Sequence, residues 1–167
     1  MESSVNFFGF MAYDLHGFWD QDVKTLVSIV RGQADIRDIA TDALPLWFAE
    51  LDPSKINFGV ALYGHGYTVP DKSCNDLECS FKGPSKADVC TNSDGVTSLV
   101  EIEQLIEKKV LTPKYLSDDM MNQTTWDNQW TGDEDADTIK EKKAGSDNQC
   151  FGGTVAWIVD FNSGAGK

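Results

Sequence analysis

Three nearly unbroken apolar runs, at residues 5–13, 56–63 and 151–157, constrain this chain more than any other feature. Each has the length of a strand rather than a helix. Their apolar residues do not alternate regularly with polar ones, the pattern of strands covered on both faces. Between the first two runs, Ile36, Ile39, Ala40, Ala43, Leu44, Trp47, Phe48 and Leu51 recur at helical spacing. Asp35 stands where an N-cap is needed, Pro45 predicts a kink or a split, and Asp52-Pro53 predicts a stop. Strand, helix and strand joined by short links predict parallel pairing, because parallel neighbours need a crossover and a hairpin cannot supply one.

From residue 67 to about residue 120 the composition shifts to turn residues and cysteines. Ser98-Leu99-Val100-Glu101 has the form of a capping box and opens a short helix through Leu105 and Lys109. Cys74, Cys79 and Cys90 fall in this stretch and Cys150 lies beyond it. They read as a disulfide-stapled insertion, with three full pairings open. Zinc ligation is not expected: there is no Cys-x-x-Cys, and His16 and His65 lie in other segments. The expected organisation is α/β, with core segments at residues 1–66 and 121–167 and a small α+β insertion at residues 67–120. Asp133, Glu134, Asp135 and Asp137 read as the solvated start of a helix that Lys140, Lys142 and Lys143 close.

The formal net charge of −13 would repel a phosphate backbone, so nucleic acid is not expected as a partner. No apolar stretch reaches the roughly 18 residues of a membrane helix. Met1-Glu2-Ser3-Ser4 lacks the basic start of an export signal. Paired cysteines would nonetheless imply a secreted parent protein, and that mismatch is a first indication of a truncated N-terminus.

If the three strands are parallel, their C-terminal ends share one rim, where barrels of this class carry their sites. That rim would offer Met11, Tyr13 and Asp14 from the first strand, Tyr63 and His65 from the second, and Trp157 and Asp160 from the third. Tyr and Trp present flat apolar faces that suit the C–H faces of a pyranose, while a carboxylate anchors hydroxyls. Sugar binding is the chemistry this set of side chains predicts.

Here a resemblance becomes specific. Met11-Ala12-Tyr13-Asp14, continued by Leu15-His16-Gly17-Phe18-Trp19, resembles the M-x-Y-D motif of fungal glycoside hydrolase family 18 chitinases, including those like killer-toxin alpha subunits. Tyr63-Gly64-His65-Gly66-Tyr67 is similar to the family's Y-G-R-G-[FY] strand ending, with His65 in place of Arg. The stretch from Phe151 through Trp157 to Asp160 resembles G-G-x-M-x-W-x-x-D, with Val155 in place of Met. The cysteine-bearing region sits where many members insert a small α+β subdomain.

The resemblance implies strands six to eight of a (β/α)8 TIM barrel and chitin or a chitooligosaccharide as partner. It requires neither metal nor cofactor. It gives Tyr13 a bond to the substrate's N-acetyl group and Asp14 a contact near the scissile bond. Trp157 becomes the floor under the cleaved sugar and Trp19 a stacking surface on the leaving-group side. Tyr63 and His65 complete the substrate-binding rim. In this family the substrate's own acetamido oxygen attacks the anomeric carbon, so no enzyme carboxylate is the nucleophile. The proton donor is a Glu in D-x-x-D-x-D-x-E on the fourth strand, and no window of this sequence has that spacing. The expectation is therefore a chain without a catalytic residue and inactive alone. A non-catalytic chitin-binding or lectin-like protein is the alternative. With about 250 residues in a typical barrel, further chain upstream, or a damaged gene copy, is expected.

Overall fold

The computed structural model describes residues 4–162, so the reading of Met1-Glu2-Ser3 as lacking an export signal lies outside the described residues. The three apolar runs become β1 (Phe8–Phe10), β2 (Ile56–Ala61) and β8 (Gly153–Trp157), all parallel in the order β1-β2-β8. Helix α1 (Ile36–Phe48) crosses over between β1 and β2, and α3 (Ala136–Asn148) leads into β8. The Asp35 carboxylate caps α1 by accepting from Arg37 N–H, and Pro45 sits inside the helix without ending it. Phe58, Val60 and Ala61 from β2 pack with Ala12, Ala34 and Ile39 in the core, which Phe10, Ile139 and Phe151 border. Fully burying a side chain the size of Phe58, Val60 or Ile39 contributes roughly 1.5–3 kcal/mol.

Two of the three strands differ from the expected burial. Only three residues of the first run pair, and Phe7 and Met11 are exposed. On β8, Val155 and Trp157 are exposed as well. The physical reason is the width of the sheet. Among the described residues it has three strands, so β1 and β8 are both edges, each with a neighbouring strand on one side only.

The second sheet is five-stranded and antiparallel, in the order β4-β3-β7-β6-β5. Its strands are β3 (Tyr63–Thr68), β4 (Val96–Ser98), β5 (Lys114–Leu116), β6 (Met121–Trp126) and β7 (Gln129–Asp133), with α2 (Leu99–Lys109) following β4. The Ser98–Glu101 capping box is present. The sheet runs from Tyr63 to Asp133, where the expected insertion spanned residues 67–120. Residues 121–133 form a hairpin about Asp127-Asn128 that pairs back onto β3, burying Tyr67 against Trp130. One disulfide joins Cys74 to Cys79, while Cys90 and Cys150 are free and exposed. No helix among the described residues is long and apolar enough to cross a membrane.

Candidate sugar-binding site

The site begins where β1 ends. Asp14 turns the chain with φ +60, and its carboxylate Oδ1 accepts from Tyr63 Oη at 2.7 Å and meets His65 Nε2 at 2.8 Å. Burial works against the Asp14 charge, but the bonds from His65 and Tyr63 outweigh it and hold the carboxyl below its ordinary range. Tyr13 is buried and meets the Tyr63 ring edge-on at 6.3 Å. Burial, then the neighbouring Asp14 charge, pushes the Tyr13 phenol up, and the same two causes act on Tyr63. Both phenols are therefore neutral hydrogen-bonding groups at ordinary pH.

Tyr63 and His65 reach this cluster from β3, the first strand of the five-stranded sheet, and not from the core strand that carried them in the sequence reading. The chain leaves the parallel sheet at Leu62, whose N–H donates to Trp157 O, and turns directly into β3. His65 Nδ1 lies 3.1 Å from Gly95 O, just before β4. Trp19 stands edge-on to the His65 ring at 4.8 Å. Trp157 comes to the same end of the sheet through its register opposite Ala61, and the residue is 54% exposed. Of the six residues expected to bind sugar, Tyr13, Asp14, Trp19, Tyr63 and His65 form one contact network, and Trp157 stands beside it at the neighbouring strand end.

Three supports were not read from the sequence. Gln33, buried, donates to Tyr63 O at 2.7 Å and ties the long loop after β1 to the site. His16 and Arg31 both hold Asp20 and so brace the same loop from within. The third is a correction. Asp133 and Glu134 are buried, not solvated, and Glu134 pairs with Lys142 while accepting from Ala61 N–H. The acidic string hid this because its partner lies on the next helix. Among the described residues, no group of three His, Cys, Asp or Glu side chains is placed to hold a metal.

Comparison with known proteins settles the family. The model of glycosyl hydrolases family 18 matches residues 1–162. The chain belongs to this family. Human chitinase-3-like protein 2 is 25% identical over 175 residues, covering 100% of this chain and 44% of that protein. The secreted chitinase LysM12 of Penicillium expansum is 27% identical over 173 residues, covering 94% of this chain and 12% of that protein. This family member thus spans less than half the length of these curated relatives. Its relatives come from a mammal and a fungus alike, so the matches do not single out the fungal, killer-toxin-like branch. In structure it is similar to the family 18 chitinase of Cycas revoluta in complex with (GlcNAc)3, with a TM-score of 0.84 at 19% identity. That match covers 96% of this chain and 44% of the other.

Proposed function

We propose that this chain supplies the aromatic and carboxylate side of a family 18 cleft and binds β-1,4-linked N-acetylglucosamine oligosaccharides. In this reading β1, β2 and β8 are strands six to eight of a (β/α)8 barrel, and the parent protein is secreted. The observation that carries it is the convergence of Tyr63 and His65 on one Asp14 carboxylate oxygen, with the exposed Trp157 at the end of β8 opposite Ala61. A half-exposed indole offers a stacking face, and a carboxylate already oriented by two donors can accept sugar hydroxyls without first being ordered.

Binding without hydrolysis is the activity proposed for this chain alone. Proton donation to a leaving oxygen needs a carboxylic acid within reach of the sugar. Glu134 is sealed against Lys142, and Glu101 is engaged by Ser98 and Thr91 at the head of α2. Neither is free to serve. The test is a titration of tryptophan fluorescence with chitooligosaccharides, in the chain and in Trp157→Ala. A saturable response that the variant loses is expected; no response at millimolar sugar overturns the binding proposal. Turnover of a fluorogenic chitooligosaccharide above the Trp157→Ala background overturns the claim of inactivity.

A further inference from the structure

The long loop between β1 and α1 carries Trp19, and it closes on itself at its neck, where Leu15 N–H donates to Gln33 O at 2.9 Å. Its returning limb, residues 28–31, is paired along its length. Ile29 bridges antiparallel to Ser80. Around that bridge Phe81 N–H donates to Ser28 O at 3.0 Å, Val30 N–H to Cys79 O at 2.8 Å and Glu78 N–H to Val30 O at 2.9 Å. The partner stretch, residues 78–81, belongs to no helix or strand of the fold, and Cys79 within it is tied to Cys74 by the disulfide.

Cys79 is where the disulfide meets the core. It is buried with Val30, Tyr67, Phe81, Met121 and Trp130, and Phe18 packs against that group. The Tyr67 phenol donates to Arg31 O at 3.0 Å and so fixes the limb one residue beyond Val30. From there the Arg31 guanidinium reaches Asp20 Oδ2 at 3.3 Å, inside the 3-10 turn Phe18–Asp22 that holds Trp19. Asp20 is 1% exposed, so its carboxylate is placed by protein partners and not by water. A continuous path thus runs from the disulfide through Cys79, Val30, Arg31 and Asp20 to the indole that stands edge-on to His65.

Other contacts anchor the exposed half of the disulfide loop. Gln123 Nε2 donates to Asn75 O and to Asp76 Oδ1, each at 2.9 Å, and Lys114 Nζ meets Asp76 Oδ1 at 2.6 Å. None of these three involves Cys79 or the limb. The disulfide carries their anchorage to β5 and β6 across to Cys79.

We propose that the Cys74–Cys79 disulfide is a clamp on the aromatic wall of the sugar site: it fixes residues 78–81 against the returning limb and so holds Trp19 in place, with Cys79 and Arg31 as positioning residues. The inference rests on the sugar-binding reading of the same rim, and it makes affinity sensitive to reductants. Cys74 is exposed, so a dithiol can reach the bond. The reagent breaks the Sγ–Sγ bond, leaves one proton on each cysteine sulfur and closes into its own disulfide. Residues 78–81 then have more conformations open to them, and the limb and the Trp19 turn loosen together. Asp14, Tyr63 and His65 keep their mutual bonds, which link the end of β1 to β3 without passing through the limb.

The test uses the chain with Cys90→Ser and Cys150→Ser, because both of those thiols are free and exposed. It is compared oxidised, reduced with a dithiol and reoxidised, with folding followed by thermal melts. Indole N–H resonances are read first, without sugar, and Trp19 is assigned with Trp19→Phe. Reduction should move the Trp19 signal and leave in place that of Trp47, which packs against Phe151; reoxidation should restore it. An unmoved Trp19 signal overturns the clamp, and so does an equal shift of both signals, which marks a general loosening. If the reduced chain no longer melts cooperatively, Arg31→Gln decides: with the disulfide intact it should move the Trp19 signal by cutting the link to Asp20, and no movement there refutes the path. Chitooligosaccharide affinity should fall about threefold or more on reduction. In Trp19→Ala, where the clamp has nothing left to position, it should fall less than about 1.5-fold. An equal loss in both backgrounds assigns the effect elsewhere and removes the positioning role. Absence of sugar binding by the oxidised chain sinks the proposed function alone, and the Trp19 resonances still judge the clamp.

Discussion

Glu134 and Lys142 form an ion pair sealed from water, each side chain 1% exposed. Lys142 also donates to Ala34 O, and Glu134 accepts from Ala61 N–H, so the pair ties α3 to β2 and to the loop before α1. Breaking a buried pair by removing one partner costs about 3–5 kcal/mol, because the remaining charge is left without compensation. Glu134→Gln and Lys142→Met should each lower the unfolding free energy by roughly that amount. The double variant should lose clearly less than the sum. Denaturant unfolding of all four proteins checks this, and simple additivity would show that the pair is not coupled.

Asp133, at the end of β7, gives a pH dependence with a definite sign. Burial, reinforced by the neighbouring Asp135 and Glu134 charges, pushes its carboxyl up to about 8. Between its unfolded value near 4 and that value, the folded chain holds a proton the unfolded chain has lost. Stability contributed by this group therefore falls as pH rises through that window, by up to about 1.4 kcal/mol per pH unit. Asp133→Asn removes the titration while keeping the shape. Its melting temperature relative to the parent should climb from pH 5 to pH 8, and a constant difference would refute the assignment.

What the sequence made legible follows from what each signal depends on. The capping residue Asp35, the Ser98–Glu101 box and the parallel strands rest on local pattern, and local pattern survives folding. The Asp14–Tyr63–His65 convergence was legible because the C-terminal ends of neighbouring parallel strands share a rim. The route by which Tyr63 and His65 get there was not, since apolar residues through Tyr63 conceal the change of sheet at Leu62. Asp133 and Glu134 were misread because burial of a charge depends on a partner that only tertiary structure supplies, here Lys142. The Asp127-Asn128 turn between two runs of strand-forming residues was the available clue that residues 121–133 are a hairpin. The exposure of Val155 and Trp157 depends on neighbours across the sheet, which no local pattern records.

Gly17 supports the aromatic wall. Its φ of −170 is ordinary extended backbone, so alanine is tolerated there by the chain itself. An added Cβ, however, would stand 2.3 Å from the six-membered ring of Trp19. The indole must move, and with it the edge-on contact to His65. Gly17→Ala should cost about 1–3 kcal/mol of stability and weaken the chitooligosaccharide response several-fold. Parallel thermal melts and sugar titrations check both, and retention of full affinity would show that Trp19 does not shape the site.

The open sheet predicts self-association. Both β1 and β8 are edges among the described residues, and Phe7, Met11, Val155, Trp157 and Val159 place apolar surface along or beside them. Natural sheets blunt such edges with charges, prolines or covering elements, because unpaired strands template pairing with another chain. Parallel sheets in particular are found with both faces covered. The isolated chain should therefore sediment as a concentration-dependent mixture between micromolar and submillimolar protein. Val155→Lys combined with Met11→Glu should shift that mixture toward monomer, since each charge would have to be desolvated for two sheets to meet. Sedimentation velocity of the parent and the double variant decides it. A parent chain that stays monomeric across the whole range would mean that the exposed edges are protected by something other than pairing.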